Sequence, residues 1–263
     1  MARAVALCND DSVLGAPFQM VEYVAGQVVR TCTELEALGD EQVIDGCVDA
    51  LIRVLADLHA VAQEPWGSAI SANPRVISNG RSVAGARSGN LCGCPMTTAM
   101  LDVQRLRSAL HQSIPQHSRT SIVHGDYRID NTILDARDPR QVRAVVDWEL
   151  STLGDPLSDT ALMCVYRDPS LDLIINAHAA WTSPLLPVAD GLAHRYSSVS
   201  GQPLAHWNFY MSLAYFKLAI IAAGIDFRNR MSGHSDAEAF DRVGDTVAPL
   251  IARGLTELQT SGS

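Results

Sequence analysis

Eight of the chain's 29 carboxylates fall within the 36 residues from His124 to Asp159, and this crowding constrains the fold more than any other feature. They are Asp126, Asp130, Asp135, Asp138, Asp147, Glu149, Asp155 and Asp159. Like charges packed so densely repel unless a cation or arginine partners compensate them. Their placement is orderly. Short strand patterns run over Ser121–His124, Thr132–Leu134 and Val142–Asp147. A hairpin through Ala136–Arg140 would bring Asn131, at the start of one strand, beside Asp147, at the end of the next. One carboxylate and one amide oxygen at a shared mouth, with Asp126 nearby, suit a hard cation such as Mg²⁺.

Helical patterns surround this acidic segment. Asp40 can cap a helix in which Val43, Ile44, Cys47, Val48, Leu51, Ile52, Leu55 and Leu58 recur at helical spacing through His59. A second helix is predicted over Thr98–Gln112, and from Asp168 onward the chain reads as all-helical, near 169–182, 189–199, 205–226 and 236–258. Upstream, Ala4–Leu7 and Phe18–Tyr23 read as strands separated by a turn at Asn9–Asp11 and Gly15.

Composition narrows the function classes. With 263 residues and 47% hydrophobic content the chain can bury a real core and is not disordered. A net charge of −9 argues against a general nucleic-acid binder and lends no support to anionic lipid. The apolar run after Met1 is too short for a signal peptide, and six scattered cysteines without a framework pattern predict a reducing, cytoplasmic setting. Cys92 and Cys94 are too close together, with no second pair, for a zinc site. The apolar stretch Phe209–Ile225 is short for a membrane span and carries Lys217 at its middle, so a buried core helix is expected and no membrane partner.

One stretch does not fit the rest. Trp66–Met100 holds three Arg, five Gly and no carboxylate in 35 residues, without helical period. Two readings stand: an irregular surface insertion, or a segment translated out of frame.

The run His124-Gly-Asp-Tyr-Arg-Ile-Asp-Asn131, followed by Val-Asp147-Trp-Glu-Leu-Ser-Thr-Leu-Gly-Asp155-Pro-Leu-Ser-Asp159, resembles the aminoglycoside phosphotransferase family, which has a protein-kinase-like fold. More narrowly it is similar to the branch found fused or adjacent to acyl-CoA dehydrogenase domains. The resemblance covers about residues 1–62 and 101–258 and fails across 66–100. It implies an α+β, protein-kinase-like fold: a mostly helical large lobe over 26–258, with short catalytic-loop hairpins. Residues 1–25 would be a remnant of the small lobe's sheet plus the hinge, and 259–263 a tail. It implies ATP and Mg²⁺ as cofactors and a small-molecule hydroxyl as substrate, with an acyl-CoA dehydrogenase as a possible partner. By the same resemblance Asp126 would orient the substrate hydroxyl, and Asn131 and Asp147 would hold Mg²⁺ on the phosphates. His124, Arg128, Asp155 and Asp159 would support the catalytic loop. The backbone of Glu22 and Val24 would meet adenine at the hinge. His59 reads as a satisfied core histidine, and Tyr127 and Trp148 as packing residues.

Some parts that the resemblance calls for have no counterpart here. No lysine occurs before Lys217 and no glycine-rich stretch before Gly15, so neither a phosphate-covering loop nor its clamping Lys can be assigned. Negligible kinase activity is therefore expected of this chain alone. Two other readings remain: a non-catalytic, pseudokinase-like module, and a metal-dependent phosphohydrolase using His124 and Asp126 as ligands.

Overall fold

The long apolar periodicities set the body of the molecule. Helix α3 (Glu41–Ala60) opens with Asp40 accepting from the Val43 amide at 3.0 Å, and buries Ile44, Cys47, Val48, Leu51, Ile52, Leu55 and His59 along one stripe. That stripe packs against α7 (Ala189–Ser200) and the strand β3 (Ser121–Val123). Behind them, α5 (Pro156–Val165), α8 (Trp207–Ser232) and α9 (Val247–Gln259) form the rest of the core, and α4 (Thr98–Gln112) lies against α9. The computed structural model describes residues 3–61, 98–116, 119–232 and 242–260. The irregular stretch 66–100 falls almost wholly outside the described residues, as do 261–263 of the tail.

Three two-stranded antiparallel sheets complete the described fold. β1 (Ala4–Cys8) pairs with β2 (Phe18–Val21) around a short capped helix α1 (Asp11–Leu14), where a simple turn was expected. β3 pairs with β6 (Thr152–Gly154), joining Ser121 to Gly154. β4 (Thr132–Leu134) pairs with β5 (Val142–Val145), joining Thr132 to Val145. The result is the α+β, kinase-like arrangement of a helical lobe with short hairpins on its face.

A small helix α2 (Cys32–Glu36) was not anticipated, although it opens on a capping box: Thr31 accepts from the Glu34 amide and Glu34 accepts back from Thr31. The stretch 169–182 is not one helix. α6 (Ser170–Ile175) stops at Asn176, which is left-handed at φ 53°, and a 3₁₀ turn follows at Ala180–Thr182. Side chains have claimed the backbone there. Asp172 accepts from the Ala179 amide and the Thr182 hydroxyl, and Arg167 donates to the carbonyls of Trp181, Ser183, Leu186 and Pro187. The last predicted helix starts later than expected: a 3₁₀ turn at Val243–Thr246 precedes α9, and 236–241 lie outside the described residues.

At 26 residues α8 is longer than its apolar stretch suggested, and by length and composition it could cross a bilayer. Its most apolar window is 56% buried against the neighbouring helices. It also carries Tyr210, bonded through its hydroxyl to Asp155.

Candidate active site

The acidic segment is a loop hung between two hairpins and a helix. β3 delivers His124 into full burial, and the chain then turns at Gly125, whose φ is +85°. A Cβ at that position would stand 2.6 Å from the Leu150 carbonyl oxygen, so the turn admits only glycine. Asp159, one turn into α5, holds this turn by its backbone: it accepts from the amides of His124 at 2.6 Å and Gly125 at 2.9 Å. Burial works to raise the Asp159 carboxyl, but His59 and the two amides outweigh it and leave it below the usual range. His59 lies 3.3 Å from Asp159 through Nε2 and 2.7 Å from the Tyr196 hydroxyl through Nδ1. It is a satisfied buried histidine, as expected, and its partner is the loop's anchor.

His124 has no route to a metal. Its Nε2 lies 2.8 Å from the Val146 carbonyl and must donate to it. Its Nδ1 then accepts from the Asp126 amide at 3.3 Å, and its ring packs against Tyr127 and Trp148. Both nitrogens are spent on backbone, which removes the reading of His124 and Asp126 as joint metal ligands.

Asp126 is half-buried at the loop's tip. Asn131, ending the 3₁₀ turn Ile129–Asn131, donates its amide nitrogen to the Asp126 carbonyl at 2.8 Å and to Asp126 Oδ2 at 3.1 Å. This use of the nitrogen orients the Asn131 side-chain oxygen away from Asp126. The β4–β5 pairing continues one step further, with the Val146 amide donating to the Asn131 carbonyl at 2.9 Å. Asp147 therefore follows Asn131's immediate neighbour, as the hairpin reading required. It is exposed and left-handed at φ 64°, a conformation a non-glycine residue holds only where its surroundings impose it.

Arg128 compensates the remaining charge. Its guanidinium lies 3.3 Å from Asp126 and 3.2 Å from Asp130, and sits 4.9 Å over the Tyr166 ring. Burial would lower its pKa, but Asp126 and Asp130, with Tyr166 and Asp147, raise it instead. Burial raises Asp130 in spite of Arg128. Tyr166 was missed by sequence reasoning, since no local pattern places α5's C-terminus under the loop. Asp155 caps α5 by accepting from the Leu157 amide at 2.8 Å, ahead of Pro156, and accepts from the Tyr210 hydroxyl at 2.8 Å. These two bonds tie Asp155 into the junction of α5 and α8.

The segment expected to be the hinge crosses the same hairpin. Gln27 and Leu134 exchange backbone hydrogen bonds at 2.9 and 2.8 Å. Gly26 allows this approach, because a Cβ there would meet the Leu134 oxygen at 2.4 Å. Glu22 gives its amide to the Arg3 carbonyl at 2.8 Å, and Val24 follows half-buried on the way to Gly26.

Among the described residues no group of three His, Cys, Asp or Glu could hold a metal by itself. Asn131 and Asp147 nonetheless fit Mg²⁺, which is commonly held by one or two protein oxygens together with substrate phosphates. The chemistry of the pair matches: a carboxylate free of any ion pair among the described residues, beside an amide whose nitrogen is already committed.

A sheet-edged acidic loop anchored on a helical lobe defines a kinase-like phosphotransferase fold, and the chain belongs to the phosphotransferase enzyme family, whose model matches residues 1–193. A putative aminoglycoside phosphotransferase from Ralstonia eutropha is 29% identical and superposes with a TM-score of 0.76, over 100% of this chain and 79% of that one. A thermostable aminoglycoside phosphotransferase mutant in complex with ADP and hygromycin B, 13% identical with a TM-score of 0.59, shares the fold over 100% of this chain and 78% of its own. Mouse acyl-CoA dehydrogenase family member 10 is 30% identical over 89% of this chain, and human family member 11 is 29% identical over 96%. The chain spans 22% and 32% of the lengths of those two relatives.

Proposed function

We propose that this chain is a cytoplasmic, ATP- and Mg²⁺-dependent phosphotransferase lobe acting on the hydroxyl of a small molecule. The observation that supports it best is the junction of Asp126, Asn131 and Asp147 on one loop and one hairpin. Asp126 would orient the acceptor hydroxyl and take its proton as the new O–P bond forms. Asn131 holds Asp126 in place through its amide nitrogen, while its oxygen and the Asp147 carboxylate would hold Mg²⁺. When bound, that ion neutralises charge on the phosphate oxygens. The backbone at Glu22 and Val24 would receive adenine, and Arg128 would keep the crowded carboxylates from repelling one another. Within this chain no lysine precedes Lys217, so the phosphates lack the usual clamp and turnover by this chain alone is expected to be negligible.

Calorimetry with Mg²⁺ and a non-hydrolysable ATP analogue tests the reading. Asp147→Ala should abolish measurable binding. Asp126→Asn should retain it within about threefold, since its role begins at the acceptor hydroxyl. Equal binding by Asp147→Ala and the unsubstituted chain would overturn the assignment.

A second reading has its own support. The β1–β2 hairpin exposes Leu7, Leu14, Met20 and Tyr23, and relatives carry this family's domain within acyl-CoA dehydrogenase family proteins. A non-catalytic module serving such a dehydrogenase would fold stably, bind no nucleotide and bind the dehydrogenase.

A further inference from the structure

Lys217 is the chain's only lysine, and the loop's chemistry as described makes no use of it. It lies on α8, which packs along α5, the helix that anchors the catalytic loop through Asp159. Tyr210, two turns earlier on the same face, bonds to Asp155 at the start of α5. That shared face points Lys217 toward the loop from the helical side, half-buried between the core residues Phe216 and Leu218.

Among the described residues its ammonium has neither a hydrogen bond nor an ion pair. The nearby carboxylates are committed elsewhere. Asp159 spends both oxygens on the His124 and Gly125 amides and His59, and Asp126 Oδ2 serves Asn131 and Arg128. Burial lowers the Lys217 pKa, while the charges of Asp159 and Asp126 hold it up. A partly desolvated cation without a partner among the described residues is costly, and a ligand oxyanion would offset that cost.

We propose that Lys217 is a specificity residue for the acceptor: it pairs with an oxyanion, a carboxylate or phosphate, carried by the molecule whose hydroxyl Asp126 orients. The proposal rests on the phosphotransferase reading and sharpens it. An acidic loop alone would draw polycations of the aminoglycoside type, and an ammonium facing it from α8 works against that preference. The recognised class is an anionic hydroxyl compound, either a hydroxy acid or a phosphorylated alcohol.

Uniqueness makes the test direct. Reductive methylation with ¹³C-formaldehyde labels only Lys217 and the α-amino group, and keeps the charge. The Lys217 resonance, assigned as the signal that remains when the α-amino group is acetylated beforehand, is followed while glycerate, sodium phosphate or kanamycin is added against chloride of matched ionic strength. A saturable shift with glycerate identifies a hydroxy acid, and one with phosphate a phosphorylated acceptor; both support the proposal. By calorimetry Lys217→Met should weaken the effective anion about tenfold or more, and Lys217→Arg should restore most of it. The labelled unsubstituted chain carries the test even if a variant fails to fold. A shift no larger than chloride gives, or one produced by kanamycin alone, overturns the proposal. Binding of Mg²⁺ with the ATP analogue, measured on the same sample, separates the two claims: its failure beside an intact anion response would refute the phosphotransferase reading alone.

Discussion

Gly125 shows how little freedom the acidic loop has. Its φ of +85° and the Leu150 oxygen 2.6 Å from an added Cβ act together against any side chain. Gly125→Ala should cost roughly 2–4 kcal/mol, combining left-handed strain with overpacking, read as a fall in urea midpoint at unchanged slope. Asp159 beneath it carries the pH dependence. Its folded pKa is depressed, so its contribution is fully present above the ordinary aspartate value near 4 and is lost as pH falls through the lower folded value. Denaturation at stepped pH should show the unsubstituted chain weakening below about pH 4. Asp159→Asn should be less stable at pH 7 by about 3 kcal/mol and flatter through that acid window. An acid limb of the same steepness in both would show that Asp159 is not the group concerned.

Among the elements, those with a local signal were legible in sequence and those made by distant partners were not. The stripe of α3 and the cap at Asp40 needed only helical spacing, and Leu51→Ala in that stripe should cost about 2–5 kcal/mol on thermal unfolding. The hairpin joining Asn131 to Asp147 was readable because two strand patterns flank a turn, where Asp135 accepts from the Arg137 and Asp138 amides. The demand for compensating charge was readable too, and arginine meets much of it: Arg143 on Asp135, Arg140 on Asp138, Arg128 on Asp126 and Asp130. By contrast β6 has only Thr152–Gly154 and no alternation, and becomes a strand because β3 lies alongside. The capping box at Thr31 and Glu34 is a local signal for α2. His59, Tyr166 and Lys217 lie far in sequence from the groups they face, and periodicity shows that a helix face is apolar without showing what it meets.

Across the whole molecule, stability and exposure divide unevenly. The helical body holds the continuous core, while the β1–β2 hairpin leaves Leu7 69% and Leu14 71% exposed. Leu14→Ser should therefore shift stability by no more than about 0.5 kcal/mol, in contrast to Leu51→Ala in the same melting experiment. The suspension of the Gly125 turn from Asp159 has a further consequence. The amides of His124 and Gly125 lie in a loop, yet their acceptor is a buried carboxylate in the first turn of α5. Deuterium can reach them only when that helix parts from its neighbours. In native-state exchange they should keep pace with the slowest amides of α3 and α5, long after the hairpin at the amino terminus has been fully replaced.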